Sequence, residues 1–207
     1  MELNIFGIIF LAFNVLVFII GFARQIWLNH KEKTVKGLSI SAFSLSVFVT
    51  AVWLGYGLSI QDLYITIPNI VGMIACVIAL IQMAIYRDFK RDKFAALSFV
   101  FMAILILLGV WKYFGSQSMV IVFGLVAGIA NWGLAFLGHG HQAWLNYKQG
   151  VKNLSLLLYF TIVAMFAFAI LYGNSVGIKP LVWGNVAALV LTSLVLGQIL
   201  APKGEQK

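Results

Sequence analysis

Cysteine is nearly missing from this 207-residue chain, with Cys76 standing alone. A single thiol closes no internal disulfide, and with no ligand cluster in sequence around it, neither a metal centre nor thiol redox chemistry is supported. Acidic residues are also scarce, six Asp and Glu against fourteen Lys and Arg. None of the six lies inside a long apolar run. That removes the intramembrane carboxylate relay on which many proton-coupled transporters depend. It also leaves no paired carboxylates, no Ser/His/Asp set and no metal-ligand set at one depth, so an enzyme is not expected. Charge of either sign makes up only 10% of the chain.

What fills the space is apolar. Hydrophobic residues make up 62% of the sequence and the mean hydropathy is +1.01, values that place the chain in a bilayer. A hydrocarbon core of ~30 Å takes ~20 apolar residues per helix. Seven stretches qualify: 5–23, 37–58, 63–86, 94–111, 119–138, 154–174 and 180–201. If the spans alternate, twelve basic residues, from Arg24 to Lys207, fall on one side and only Lys112 and Lys179 on the other. The positive-inside rule then sets the N-terminus outside and the C-terminus in the cytoplasm, with a plasma (inner) membrane as the expected location. The net charge of +8 is accounted for by topology, and no nucleic-acid partner is expected. Met1–Asn4 carries no positive leader region, so the first apolar run is expected to stay as a span.

The sequence says nearly the same thing twice. Phe6–Asn29 and Phe123–Asn146 align without a gap at a shift of 117, with eight identities that include Gly7/Gly124, Asn14/Asn131, Gly21/Gly138, Gln25/Gln142, Trp27/Trp144 and Asn29/Asn146. Shared apolarity alone does not match glycines and amides. The register then slips to 116 and holds through Tyr56-Gly57 with Tyr172-Gly173, Asn69 with Asn185, and Gln82 with Gln198. Each copy contains three spans, and the stretch between them has no counterpart. The expected fold is therefore an all-α membrane protein of seven transmembrane helices, arranged as two parallel triple-helix bundles joined by a linker helix. Its parts are 1–93, a linker at 94–116, and 117–207. The odd fourth helix resets the direction, so the copies run parallel about an axis along the membrane normal.

The cost of placing amides in lipid narrows the site. Polar residues deep in a span face the protein interior or a watered path. Asn69 and Asn185 occupy the same repeat position, and Pro68 beside Asn69 weakens its helix and frees a carbonyl. Trp53 sits 16 residues before Asn69, where the other copy has Ala169. A tryptophan face beside paired asparagines suits a polyol or sugar, whose C–H face stacks on the ring while its hydroxyls bond to amides. Other polar positions have structural readings. Asn14 and Asn131 can join helices, and Gln82 and Gln198 lie near headgroup water. Gly124 and Gly128 form a small-xxx-small pair, and Trp27 and Trp144 are placed as interfacial anchors. His139 and His141, two apart on a helix, point to different faces and do not make a metal pair.

With these residues assembled, the chain resembles the SWEET sugar facilitators and the wider PQ-loop group. The first triplet is similar to a bacterial SemiSWEET subunit through Gln25, Lys36-Gly37-Leu38-Ser39, Trp53-Leu54-Gly55-Tyr56-Gly57, Pro68-Asn69-Ile70-Val71-Gly72 and Gln82 to Tyr86; the second is a weaker copy through Gln142, Leu154-Ser155, Tyr172-Gly173, Asn185 and Gln198. The resemblance implies substrate contacts at Trp53, Asn69 and Asn185, with Ala169 at the Trp53 position of the other copy. It implies an outer gate at Tyr56, Asp62 and Tyr172. It implies an inner gate at Phe43 and Tyr159, with Gln25, Gln142, Arg24 and His141 around the name-giving Pro-Gln position. The chain departs from the pattern at Arg24 and His141, which stand where the family's proline belongs, and at Ala169 and Ile178, which replace the tryptophan and gate aspartate.

The function expected is passive uniport of a mono- or disaccharide by alternating access, with no cofactor and with the lipid bilayer and small-molecule substrate as partners. Assembly into a homo-oligomer is compatible with the sequence. A PQ-loop transporter of amino acids or another small polar metabolite is the alternative. A retinal-type receptor would need a lysine inside the last span, and 180–201 has none.

Overall fold

The computed structural model describes residues 4–33, 40–86, 117–149 and 156–201, all of whose regular structure is helical. Helix α1 runs over Ile5–Val17 and passes through a π-helical segment, Phe18–Ala23, into α2, Arg24–Glu32. Helices α3, Ile40–Ser59, and α4, Leu63–Tyr86, follow. Then come α5, Gln117–Ala135, a second π-helical segment, Phe136–Gly140, and α6, His141–Gln149. Helices α7, Leu156–Val176, and α8, Lys179–Leu200, complete the order. Five of the helical stretches are long and apolar enough to cross a membrane, and Leu45–Ser59 adds a shorter apolar one. The protein is a multi-pass integral membrane protein. Isoleucines such as Ile5, Ile74, Ile85 and Ile129 are more than half exposed, which a lipid-facing surface accepts without cost.

The expected linker at 94–116 and the motifs at 36–39 and 154–155 lie outside the described residues. Where spans were expected to stop at the first charge, the helices continue: the first through its π segment to Glu32, and the fifth through His139 to Gln149. The reason is that a helix leaving the hydrocarbon needs only water for its outer face, while its backbone bonds remain internal.

The chain divides into two compact units, Phe18–Ala127 and Met1–Val17 with Gly128–Lys207. In the first of these, α3 and α4 form an antiparallel pair around Val47, Ala51, Cys76, Leu80 and Met83, with Phe22, Met73 and Tyr86 packed against that core. Two glycines set the approach of its helices. A Cβ on Gly57 would meet Thr66 Oγ1 at 2.8 Å, and one on Gly72 would meet the Phe18 ring at 2.6 Å and Thr50 Cγ2 at 3.2 Å. In the other unit, α7 packs on both α8 and α1. Gly173 admits Leu181 and Val182 at 3.2 and 3.0 Å, and Gly128 lies under the Trp183 ring, 2.2 Å from where its Cβ would be. Close helix packing is thus the role of Gly128.

The copies share one turn. In the first, the Asp62 N–H donates to the Gly57 carbonyl at 2.9 Å, with Gln61 at φ 56°. In the second, the Ile178 N–H donates to the Gly173 carbonyl at 2.8 Å, with Gly177 at φ 74°. Every position differs by 116, so the register read from side-chain identities also holds in the backbone. What starts the following helix differs. Asp62 caps α4, its Oδ1 accepting from the Tyr64 and Ile65 N–H groups at 2.9 and 3.2 Å, which typically contributes ~1 kcal/mol. Ile178 offers α8 no side-chain cap, and Pro180 in the first turn supplies the preset φ instead.

Candidate functional site

In the Phe18–Ala127 unit the helix register brings the candidate residues level. Thr50 lies against Gly72 and Gly57 against Ile65 and Thr66, so midway along the same antiparallel pair Trp53 stands at the depth of Asn69. Trp53 is buried and meets Tyr56 edge-on, with ring centroids 5.8 Å apart. Asn69 donates through Nδ2 to the Ile65 carbonyl at 2.7 Å. The position before it, Pro68, has no N–H to give to the ladder, so this amide bond occupies a carbonyl in a stretch where one backbone bond is already missing. Among the described residues the Oδ1 of Asn69 and its second N–H have no hydrogen-bond partner, and the side chain is partly accessible.

In the other unit the register repeats, and Ala169 stands at the depth of Asn185. Asn185 is 5% exposed and donates to the Leu181 carbonyl at 2.6 Å, the same back-bond as that of Asn69. Its surroundings are otherwise different. Asn131 on α5 donates through Nδ2 both to the Gly184 carbonyl at 3.0 Å and to Asn185 Oδ1 at 2.9 Å. Among the described residues its repeat mate Asn14 bonds only within its own helix, to the Phe10 carbonyl at 2.9 Å. Around the missing tryptophan, aromatic surface comes from α1: Phe13 stacks on Phe168 at 5.5 Å and Phe10 on Tyr172 at 6.1 Å. The neighbouring Asn4 Nδ2 donates to Ser175 Oγ at 2.9 Å.

The residues expected at the gates separate into three groups. Tyr56, Asp62 and Tyr172 sit at the ends of α3, α4 and α7 in the positions just described. Tyr159 meets the ring of His139 at 6.4 Å, and His139 also meets Phe166 at 5.9 Å. The histidine was not singled out for the inner gate from sequence, because its partners are 20 and more residues away and no local spacing reveals them. Arg24 and His141 are exposed, and His141 lies beside Trp144 with ring centroids 5.6 Å apart. The side chains of Phe43 and Gln25 lie outside the described residues.

Gln142 belongs to an amide clasp. Its Nε2 donates to Asn146 Oδ1 at 2.9 Å, Asn146 Nδ2 donates to Gln198 Oε1 at 3.0 Å, and Gln198 Nε2 donates to the Ala143 carbonyl at 3.1 Å. The other copy repeats the core of it: Asn29 Nδ2 donates to Gln82 Oε1 at 3.0 Å and Gln82 Nε2 to the Ile26 carbonyl at 2.9 Å. Each clasp pins the short helix that follows a π segment to the last helix of its copy. The π segments themselves, centred on Gly21 and Gly138, directly precede Arg24 and His141. A widened turn therefore stands next to the place where the resemblance expects a proline. At the same ends Lys31 lies over the Trp27 ring at 4.9 Å and Lys148 over Trp144 at 4.4 Å, with both tryptophans exposed, as interfacial anchors are.

These features define a helical membrane protein whose amides and glycines are duplicated at matching depths. The fold matches a solved eukaryotic SWEET transporter with a TM-score of 0.71, over 94% of this chain and 97% of that one, at 15% identity. Residues 4–93 match the family model described as "Sugar efflux transporter for intercellular exchange". Over 93 residues, 44% of the chain, it is 34% identical to the bidirectional sugar transporter SWEET14 of Arabidopsis thaliana and 32% identical to the bidirectional sugar transporter NEC1 of Petunia hybrida. The matched segment spans 31% and 34% of those relatives, about a third of their length. Residues 4–93 are thus similar to the SWEET family, and the fold is that of a SWEET transporter.

Proposed function

We propose that the protein is a passive sugar uniporter of a plasma membrane, working by alternating access around a site lined by Trp53, Asn69 and Asn185. In this reading the segments 1–93 and 117–207 are its two halves, the N-terminus is outside and the C-terminus is cytoplasmic. The observation that carries it is the duplicated amide. Asn69 and Asn185 make the same bond to the carbonyl four residues back, each mid-helix among apolar neighbours. Such a bond fixes one amide N–H and leaves the rest of the Asn69 group, and the second N–H of Asn185, to face a ligand. Asn69 adds an Oδ1 and an N–H at the level of a tryptophan face, a donor and an acceptor beside an apolar plate. A sugar meets that chemistry with hydroxyls, which give and take hydrogen bonds, and with a C–H face. The lack of Asp and Glu within the expected spans supports passive transport. The family's relatives named as bidirectional sugar transporters support the substrate class.

The test is equilibrium binding by the purified protein of a panel of labelled monosaccharides, disaccharides and amino acids, repeated with Asn69→Ala and Asn185→Ala. The expected outcome is binding of at least one sugar and of no amino acid, weakened about tenfold or more by each substitution, about the loss of one well-formed polar contact. Binding of an amino acid alone would establish the amino-acid reading. Unchanged sugar affinity in both variants would remove the site.

A further inference from the structure

The Asn131–Asn185 pair carries a consequence for how a sugar would be read. Asn131 is 8% exposed and Asn185 5%, so neither amide can turn to water for partners, and the orientation of each is fixed by its neighbours. Asn185 must direct Nδ2 at the Leu181 carbonyl, 2.6 Å away, which turns its Oδ1 outward. Asn131 must then present N–H groups to that Oδ1 at 2.9 Å and to the Gly184 carbonyl at 3.0 Å. Flipping either amide would set oxygen against oxygen, so the assignment is determined by the network as a whole. Both N–H bonds of Asn131 are used in this way. Among the described residues its own Oδ1 is left as a buried acceptor without a hydrogen-bond partner, and Asn185 keeps one N–H.

We infer that Asn131 is a positioning residue for the substrate site: it locks the amide of Asn185 so that the pair offers a ligand one acceptor, Asn131 Oδ1, and one donor, the second N–H of Asn185. A fixed acceptor and donor side by side fit a hydroxyl, which is both, or two neighbouring hydroxyls on a sugar ring. They fit an ammonium or a carboxylate poorly, since each of those would leave one of the two buried groups without a partner. The first copy is built otherwise, since Asn14 spends its amide on its own helix and, among the described residues, no amide donates to the Oδ1 of Asn69. Asn69 is free to adapt to a ligand, whereas Asn185 is held. Discrimination among sugars is then the work of the Asn131–Asn185 side, and general affinity the work of the Trp53–Asn69 side.

This inference rests on the sugar-transport reading, and the experiment separates the two. Sugar binding is measured for wild type, Asn131→Ala, Asn185→Ala and the double variant, using glucose and its monodeoxy analogues, with the thermal midpoint of each purified variant recorded. Asn131→Ala is expected to weaken glucose binding about tenfold and to shrink the penalty for one monodeoxy analogue. In the Asn185→Ala background the same change is expected to weaken binding by only about threefold, because the locking of Asn185 is already lost and only the Asn131 Oδ1 contact remains to be removed. In an Asn69→Ala background its full tenfold effect is expected to remain. Equal effects of Asn131→Ala with and without Asn185, or an effect that tracks only the thermal midpoint, would overturn this inference while leaving sugar transport standing. If Asn131→Ala does not fold, Asn131→Ser, which keeps a single donor, replaces it with the same cycle and the same criterion. Wild-type protein that binds no sugar would overturn both readings.

Discussion

The two copies of the repeat share the contacts that hold each together and the back-bond of Asn69 and Asn185, and differ in what surrounds those two amides. The turn at Gln61-Asp62 and that at Gly177-Ile178 share one backbone hydrogen bond and one left-handed residue. The clasp of Asn29 on Gln82 is that of Asn146 on Gln198 within about 0.2 Å at each bond. Against this, Trp53 stands in one copy where Ala169 stands in the other, Asp62 caps a helix that Ile178 does not, and Asn131 reaches across to Asn185 while Asn14 turns back on its own helix. Structural amides sit in contexts where any change leaves a buried polar group unsatisfied, and so both copies keep them. The surroundings of Asn69 and Asn185 carry no such constraint between copies, and there the sequences have diverged.

That contrast can be broken from its strongest point downward. Trp53→Ala makes the first copy like the second at its site. It is expected to cost about 3 kcal/mol of stability, the usual range for a buried aromatic, and at least tenfold in sugar affinity; chemical unfolding and equilibrium binding read the two separately. Next come the clasps. Gln82→Ala and Gln198→Ala each remove an acceptor and a donor from a buried network, and each is expected to cost about 1–2 kcal/mol. The sharper expectation is that the two losses are equal within experimental error and leave sugar affinity unchanged. Asp62→Ala is expected to cost about 1 kcal/mol through the lost cap of α4, whereas Ile178→Ala should cost less than a lost cap even though it holds the same register position. Smallest is the turn: Gln61→Gly should stabilise by about 0.5–1 kcal/mol by relieving a side chain in the left-handed region, and Gly177→Gln should destabilise by a similar amount. Thermal unfolding midpoints measured in one detergent would rank all of these.

Much of the architecture was legible in the sequence because the repeat is marked by residues that hydropathy does not require. Asn29, Gln82, Gly57 and Asn69 match Asn146, Gln198, Gly173 and Asn185, and each match became an equivalent contact. Among the described residues the spans were legible from apolar length, except at the ends that carry basic residues, where the helix continues beyond the first charge. The π segments were not legible, since a single widened turn leaves the pattern of apolar residues almost unchanged. Nor was the clasp: Gln82 and Gln198 looked able to rely on headgroup water, and instead both bond to asparagines 53 and 52 residues away. At the candidate site, the shared depth of Asn69 and Asn185 followed from the repeat, whereas the reach of Asn131 did not. Asn14 and Asn131 are the same residue at the same repeat position, and only the packing of α5 on α8, where Gly128 admits the Trp183 ring, brings one of them within bonding distance of a partner helix. His139 beside Tyr159 was hidden for the same reason.

The central claim is that transport is passive and specific to sugars, and counterflow tests it most directly. Proteoliposomes preloaded with unlabelled glucose would be diluted into labelled glucose, with and without an imposed proton gradient, for wild type and for Asn69→Ala. The account predicts transient accumulation of label by wild type at the same rate in both conditions, and its loss in the variant. Label entry by wild type that occurs only when the proton gradient is present would contradict it.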